Sequence, residues 1–130
     1  MSNFKAIAQK ETVLCPIMAG RTKIESADIY GKELTITDFD FAPKRDTKTN
    51  EIVVDENGIV QTYAVVLFEE IPDGYYNCGE ILSRVCQAWM EGYESPEEAS
   101  ADLKKEGGVP VVLEKGKTNG GNNITTVTIL

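Results

Sequence analysis

Two short polar stretches could neutralise phosphate groups: Lys44, Arg45 and Lys48 in one, and Lys115 and Lys117 in the other. Cations of this kind bind nucleic acid by displacing condensed counterions, so they act locally even in a chain whose net charge is -8. Either stretch alone is an ordinary solvated loop tip. Two that converge on one groove would form a site.

Aromatic residues supply the other half of that chemistry. Tyr75 and Tyr76 are adjacent, so on a strand one points inward and the other outward. The outward one, with Tyr63 and Phe39, would make a stacking surface for bases, worth about 1–3 kcal/mol per base. Trp89 lies on a helical apolar stripe and reads as core. Asp38 and Asp40, two apart, could hold a hard cation from one strand face. With no third ligand indicated, they read as a solvent-facing pair.

The chain has no histidine, which removes the commonest general base and metal ligand and with them Ser/His/Asp, Cys/His and His-containing zinc chemistry. Cys15, Cys78 and Cys86 have no zinc-like spacing and read as small, reduced apolar side chains. Gly116-Lys-Thr118 ends like a phosphate loop, but Val111 stands where the first glycine is required. The acidic pattern beginning at Pro72-Asp73 misses its lysine by one position. A non-catalytic protein without cofactor or bound metal is expected.

The positioning elements follow from periodicity. Residues 1–31 are the least legible, 1–20 reading as irregular, with a short strand expected near Thr22 to Glu25. From Glu33 to Phe41 the pattern has period two, with Leu34 and Ile36 on one face. Phe39 and Phe41 have the opposite parity, so a bulge near Thr37-Asp38 is needed to bring both into the core. Without it Phe39 faces a ligand. Pro43 to Gly58 is a polar connection with a turn at Asn57-Gly58. Tyr63 to Phe68 is apolar at both parities, as suits a central strand within Thr62 to Glu70. A short strand over Gly74 to Cys78 precedes a helix over Glu80 to Glu91, whose stripe is Ile81, Leu82, Val85, Cys86, Trp89 and Tyr93. Ser95-Pro-Glu-Glu98 is a capping box that opens a second helix to Glu106. A hairpin, Val109 to Glu114 and Ile124 to Leu130, ends the chain.

Strand, strand, strand, helix, strand, strand is the order of an OB-fold. The expected class is all-β with one or two helices. The expected architecture is one domain, a five-stranded Greek-key barrel with a small helical insertion before strand 4. Its ligand face would carry the aromatic residues and its loops the five cations.

Gly31-Lys-Glu-Leu-Thr-Ile-Thr-Asp-Phe-Asp-Phe41, Tyr63-Ala-Val-Val-Leu-Phe68 and Gly74-Tyr-Tyr76 before a helix resemble small single-stranded-DNA-binding proteins of phages and mobile elements. The resemblance covers about residues 20–130. It implies an OB-fold that coats transient single strands in replication or recombination, with replication or recombination proteins as partners, self-association, and residence in the cytoplasm of a bacterial host. In one respect the chain departs from the resemblance: it ends in the strand-like Ile124 to Leu130 rather than an acidic tail. No apolar run suits a membrane span and no apolar core of a signal peptide opens the chain. Two other classes stay open, a protein-interaction or assembly module on the same barrel and a carboxylate-dependent metal enzyme at Asp38 and Asp40.

Overall fold

The computed structural model describes residues 15–130. Six strands form one mixed sheet: β1 (Thr22–Lys23), β2 (Glu33–Pro43), β3 (Thr62–Phe68), β4 (Ile71–Asn77), β5 (Val109–Lys117) and β6 (Asn123–Ile129). Helices α1 (Glu80–Trp89) and α2 (Pro96–Lys105) lie between β4 and β5. The sheet order is β1-β4-β3-β2-β5-β6, with β1 parallel to β4 and every other pair antiparallel.

β2 organises the sheet. Its first residues pair with β5, Glu33 opposite Val112 to Ile36 opposite Val109, and the remainder pairs with β3. The register slips between Ile36 and Asp38, at the place where the apolar parity changes. The extra residue turns Phe39 onto the face of Leu34 and Ile36, and all three are buried. Phe39 meets Phe41 edge-on at 6.0 Å and Trp89 at 5.7 Å. Both phenylalanines therefore pack in the core, Phe39 fully and Phe41 partly.

That core faces the helices. α1 contributes Leu82 and Cys86, α2 contributes Ala99 and Leu103, and Val66, Phe68, Tyr76, Val111 and Leu113 come from the sheet. Removing each large side chain from water stabilises the fold by about 1.5–3 kcal/mol. β3 has a run of five buried residues from Ala64 to Phe68 because the sheet is covered on both faces. On the opposite face the turn Pro16–Met18 crosses β2, β3 and β4. There Cys15, Ala42 and Val65 form a second small core with Ile17, Met18, Tyr63 and Tyr75.

Local signals end the helices. Ser95 accepts a hydrogen bond from the Glu98 amide at 3.2 Å and starts α2, while Glu98 reaches back to the Glu94 amide rather than to Ser95. Gly108 follows α2 at φ +80°, and a Cβ there would lie 2.7 Å from the Ile36 carbonyl oxygen. Only glycine allows β5 to start so close to β2.

The class is as expected, β-rich with two helices, but the architecture is an open six-stranded sheet in place of a five-stranded barrel. β1 occupies the outer edge of β4, Thr22 opposite Gly74 and Lys23 opposite Tyr75, so β6 forms no ladder with that edge. Side chains bridge the gap instead: Tyr30 Oη lies 3.1 Å from Thr125 Oγ1. No described helix is long and apolar enough to cross a membrane. Residues 1–14, part of the expected irregular segment, lie outside the described residues.

Candidate functional site

The connection after β2 is shaped by two aspartates. Asp46 Oδ1 accepts from the amides of Lys48 at 2.7 Å and Thr49 at 3.0 Å, and Asp55 Oδ1 accepts from those of Asn57 at 2.8 Å and Ile59 at 3.0 Å. These are Asx turns, which fold a loop through its own side chains. The amides of Thr49 and Lys48 hold the Asp46 carboxyl below its ordinary pKa. Arg45 bridges to Ile52 and donates to the Asn50 carbonyl at 2.9 Å, and Val54 bridges to Val60. Lys44 and Lys48 are thus presented, exposed, on a preformed finger.

Lys44 and Tyr63 line one cleft of about 310 Å³ with Gly79, Glu80 and Arg84. Lys115 lines a second, of about 680 Å³, with Tyr30, Asn122, Thr125 and the same Gly79 and Glu80. The start of α1 is the wall between them. Cations from both basic stretches are thereby brought to neighbouring clefts. Lys117 is exposed at the end of β5, opposite Asn123. Glu80 carries charge unfavourable to an anion, and Arg84 pairs with it across one helical turn.

The aromatic surface is smaller than expected. Tyr76 is 2% exposed, packs on Phe68 and bonds Ser26 through its hydroxyl at 2.8 Å. Phe39 is equally buried. Neither can stack on a base: the bulge turns Phe39 inward, and strand alternation sends Tyr76 to the core and Tyr75 to the other face. Tyr75 and Tyr63 remain, half-buried against Cys15, Ala42 and Val65. Burial, then the neighbouring Tyr75, raises the Tyr63 pKa.

Compared with protein-family models, curated proteins and solved structures, the chain has no match. The site therefore stands on its own geometry.

Asp38 and Asp40 share the face of Cys15 but are already engaged. Lys104 Nζ lies 2.8 Å from Asp38, and Asp40 Oδ1 accepts from the Phe41 amide at 2.7 Å. Among the described residues no group of three His, Cys, Asp or Glu side chains could hold a metal ion. Burial first, and Asp40 second, pushes the Cys15 pKa up to about 12.

Periodicity gave no hint of Tyr30, Arg84 or the Gly79–Glu80 wall. Tyr30 reaches the cleft by a contact spanning 95 positions in sequence. A periodic pattern describes one element and carries no signal for such a meeting.

Proposed function

We propose that the protein is a non-catalytic single-stranded DNA-binding protein whose strand passes through the two clefts beside the start of α1. The observation that carries this reading is the adjacency of the clefts: Lys44 with Tyr63 in one, Lys115 in the other, and Gly79 and Glu80 common to both. A cation for phosphate and an aromatic edge for a base then occur within one short path. The order β4-β3-β2-β5-β6, with a helix after the third strand of that set, has the connectivity of an OB-fold and supports the same reading. With a net charge of -8, long-range attraction to DNA is unfavourable, so binding rests on these local contacts. The resemblance to phage and mobile-element proteins adds a setting, replication or recombination in a bacterial cytoplasm.

The test is fluorescence anisotropy of labelled oligo-dT of about 20–30 nucleotides, a few site sizes long, at low salt. Saturable binding that unlabelled duplex of equal length competes for only poorly is expected. No anisotropy change, or equal competition by duplex, overturns the reading. One observation favours a protein-interaction module instead: Val54, Ile59 and Val60 are exposed on the finger.

A further inference from the structure

The last turns of α1 and α2 and the start of β5 enclose a cavity of about 120 Å³. Phe39, Trp89 and Tyr93 supply three aromatic rings to its lining, Leu103 an apolar wall, and Asp102 and Glu106 two carboxylates. Phe39 is buried and packs on Trp89 at 5.7 Å, whereas Trp89 and Tyr93 are partly exposed and Glu106 is exposed. The cavity thus has an aromatic floor and an acidic mouth.

Its electrostatics favour a positive charge. The Tyr93 hydroxyl donates to Asp102 Oδ2 at 2.9 Å, which holds that carboxylate at the rim. That hydrogen bond first, then burial and the charges of Asp102, Glu106 and Glu98, raises the Tyr93 pKa, so three carboxylates act on one hydroxyl. Both helices end here, and a helix C-terminus attracts cations. Among the described residues the neighbouring lysines leave the cavity open: Lys104 pairs with Asp38, and Lys105, with an 81% exposed side chain, reaches Asp102 only at 4.0 Å.

The lining also selects the kind of cation. A hard metal ion such as calcium takes about six to eight oxygen ligands, which rings cannot supply. An organic cation is drawn to aromatic rings within about 6 Å of its charge, Trp most strongly. Size excludes a base, because an apolar protein cavity of about 150 Å³ holds one benzene and this one is smaller. With Oδ2 engaged by Tyr93, Asp102 has one oxygen to offer, which suits the point charge of an ammonium rather than the bidentate fork of a guanidinium. From Glu91 to Glu106 the chain carries six acids against Lys104 and Lys105, so a segment with further basic residues would also be held outside the cavity.

We propose that this cavity binds the lysine side chain of a basic segment of a partner protein, with the ammonium head between the Asp102 and Glu106 carboxylates and its charge against the Trp89 and Tyr93 rings. It lies at the opposite end of α1 from the two clefts and shares no lining residue with them. This inference goes beyond the DNA-binding reading and is tested without DNA, so each can fail separately.

Trp89 is the chain's one tryptophan, so its fluorescence and its indole N–H resonance report on this cavity. The full chain is titrated at constant ionic strength with a glycine-rich peptide carrying one lysine, its Nε-acetylated form, a peptide carrying three lysines, and spermidine. The one-lysine peptide should give a saturable change that acetylation abolishes, and three lysines should bind about fivefold more tightly. Glu106→Gln should weaken binding about fivefold. Glu94→Gln, outside the cavity, should weaken it less than about twofold because salt screens an exposed charge. Circular dichroism checks folding, and both positions are exposed. No saturable change overturns the proposal, as does equal weakening by both variants, which would mean diffuse attraction. Spermidine that binds more tightly than the three-lysine peptide overturns the assignment to a protein partner and makes a free polyamine the ligand.

Discussion

The hydroxyl of Ser100 satisfies both backbone groups of Phe39, accepting from its amide at 3.1 Å and donating to its carbonyl at 3.1 Å. Pairing of β2 with β5 stops at Ile36, so beyond it one edge of β2 would be bare. α2 seals that edge with a single side chain. Ser83 on α1 does the same where β4 ends, accepting from Ala64 at 3.0 Å and donating to the Cys78 carbonyl at 3.5 Å. A buried amide or carbonyl without a partner costs about 1–3 kcal/mol, so both serines hold helix to sheet.

Replacing Ser100 with alanine should therefore lower stability by about 1–3 kcal/mol for each group left unpaired, read as a lower urea midpoint with an unchanged slope. Ser83→Ala should act in the same direction. Oligonucleotide affinity of Ser100→Ala, at a temperature where it is folded, should match the parent, because Ser100 lines neither cleft. Unchanged midpoints would mean that water replaces the hydroxyls.

Lys44→Glu and Lys115→Glu address the clefts. If both cations contact phosphate, log affinity falls linearly with log salt, at about 0.7 per contact on a single strand, and each variant flattens that slope. Anisotropy titrations at four or five salt concentrations measure it. A parental slope in both variants would move the binding path away from α1.

The tyrosines should divide by burial. Tyr63→Ala should lose about 1–3 kcal/mol of oligonucleotide binding while folding like the parent. Tyr76→Phe, which deletes the hydroxyl bonded to Ser26, should cost about 1 kcal/mol of stability and leave binding unchanged. Thermal melts beside titrations separate the two; the reverse pattern would place the binding face on the core side of the sheet.

Cys15 gives a pH signature. Its folded pKa, pushed up to about 12, lies above the unfolded value near 8.5. The neutral thiol's contribution is fully present below the unfolded value and is lost as pH rises through the folded one. Native protein should thus resist iodoacetamide at pH 8 at this residue, and denaturant should expose it. Rapid native alkylation of Cys15, located by peptide mass, would show that the turn at Pro16–Met18 lifts from the sheet.

Asp46 works in the other direction. Its folded pKa lies below the ordinary carboxyl value, so its contribution to the finger is present above that value and is lost as pH falls through the folded one. The Lys48 and Thr49 amide resonances should titrate with a midpoint below 3.8, the ordinary Asp value. A midpoint at the ordinary value would leave the finger unorganised by that turn.

Much of the fold was written locally. The stripe from Ile81 to Trp89 specifies α1, Ser95-Pro96 starts α2, and the change of parity between Ile36 and Phe39 demands the bulge that β2 contains. Each signal lies within a few residues, because helix period, cap and strand alternation are short-range properties of the backbone. The tertiary structure alone decided which tyrosine faces the core, that β1 would take the edge of β4 and keep the sheet open, and that α1 would stand between Lys44 and Lys115. Those outcomes depend on meetings between segments far apart in sequence. No local pattern records them: they follow from competition among edges for backbone partners and among faces for burial, which only the assembled chain resolves.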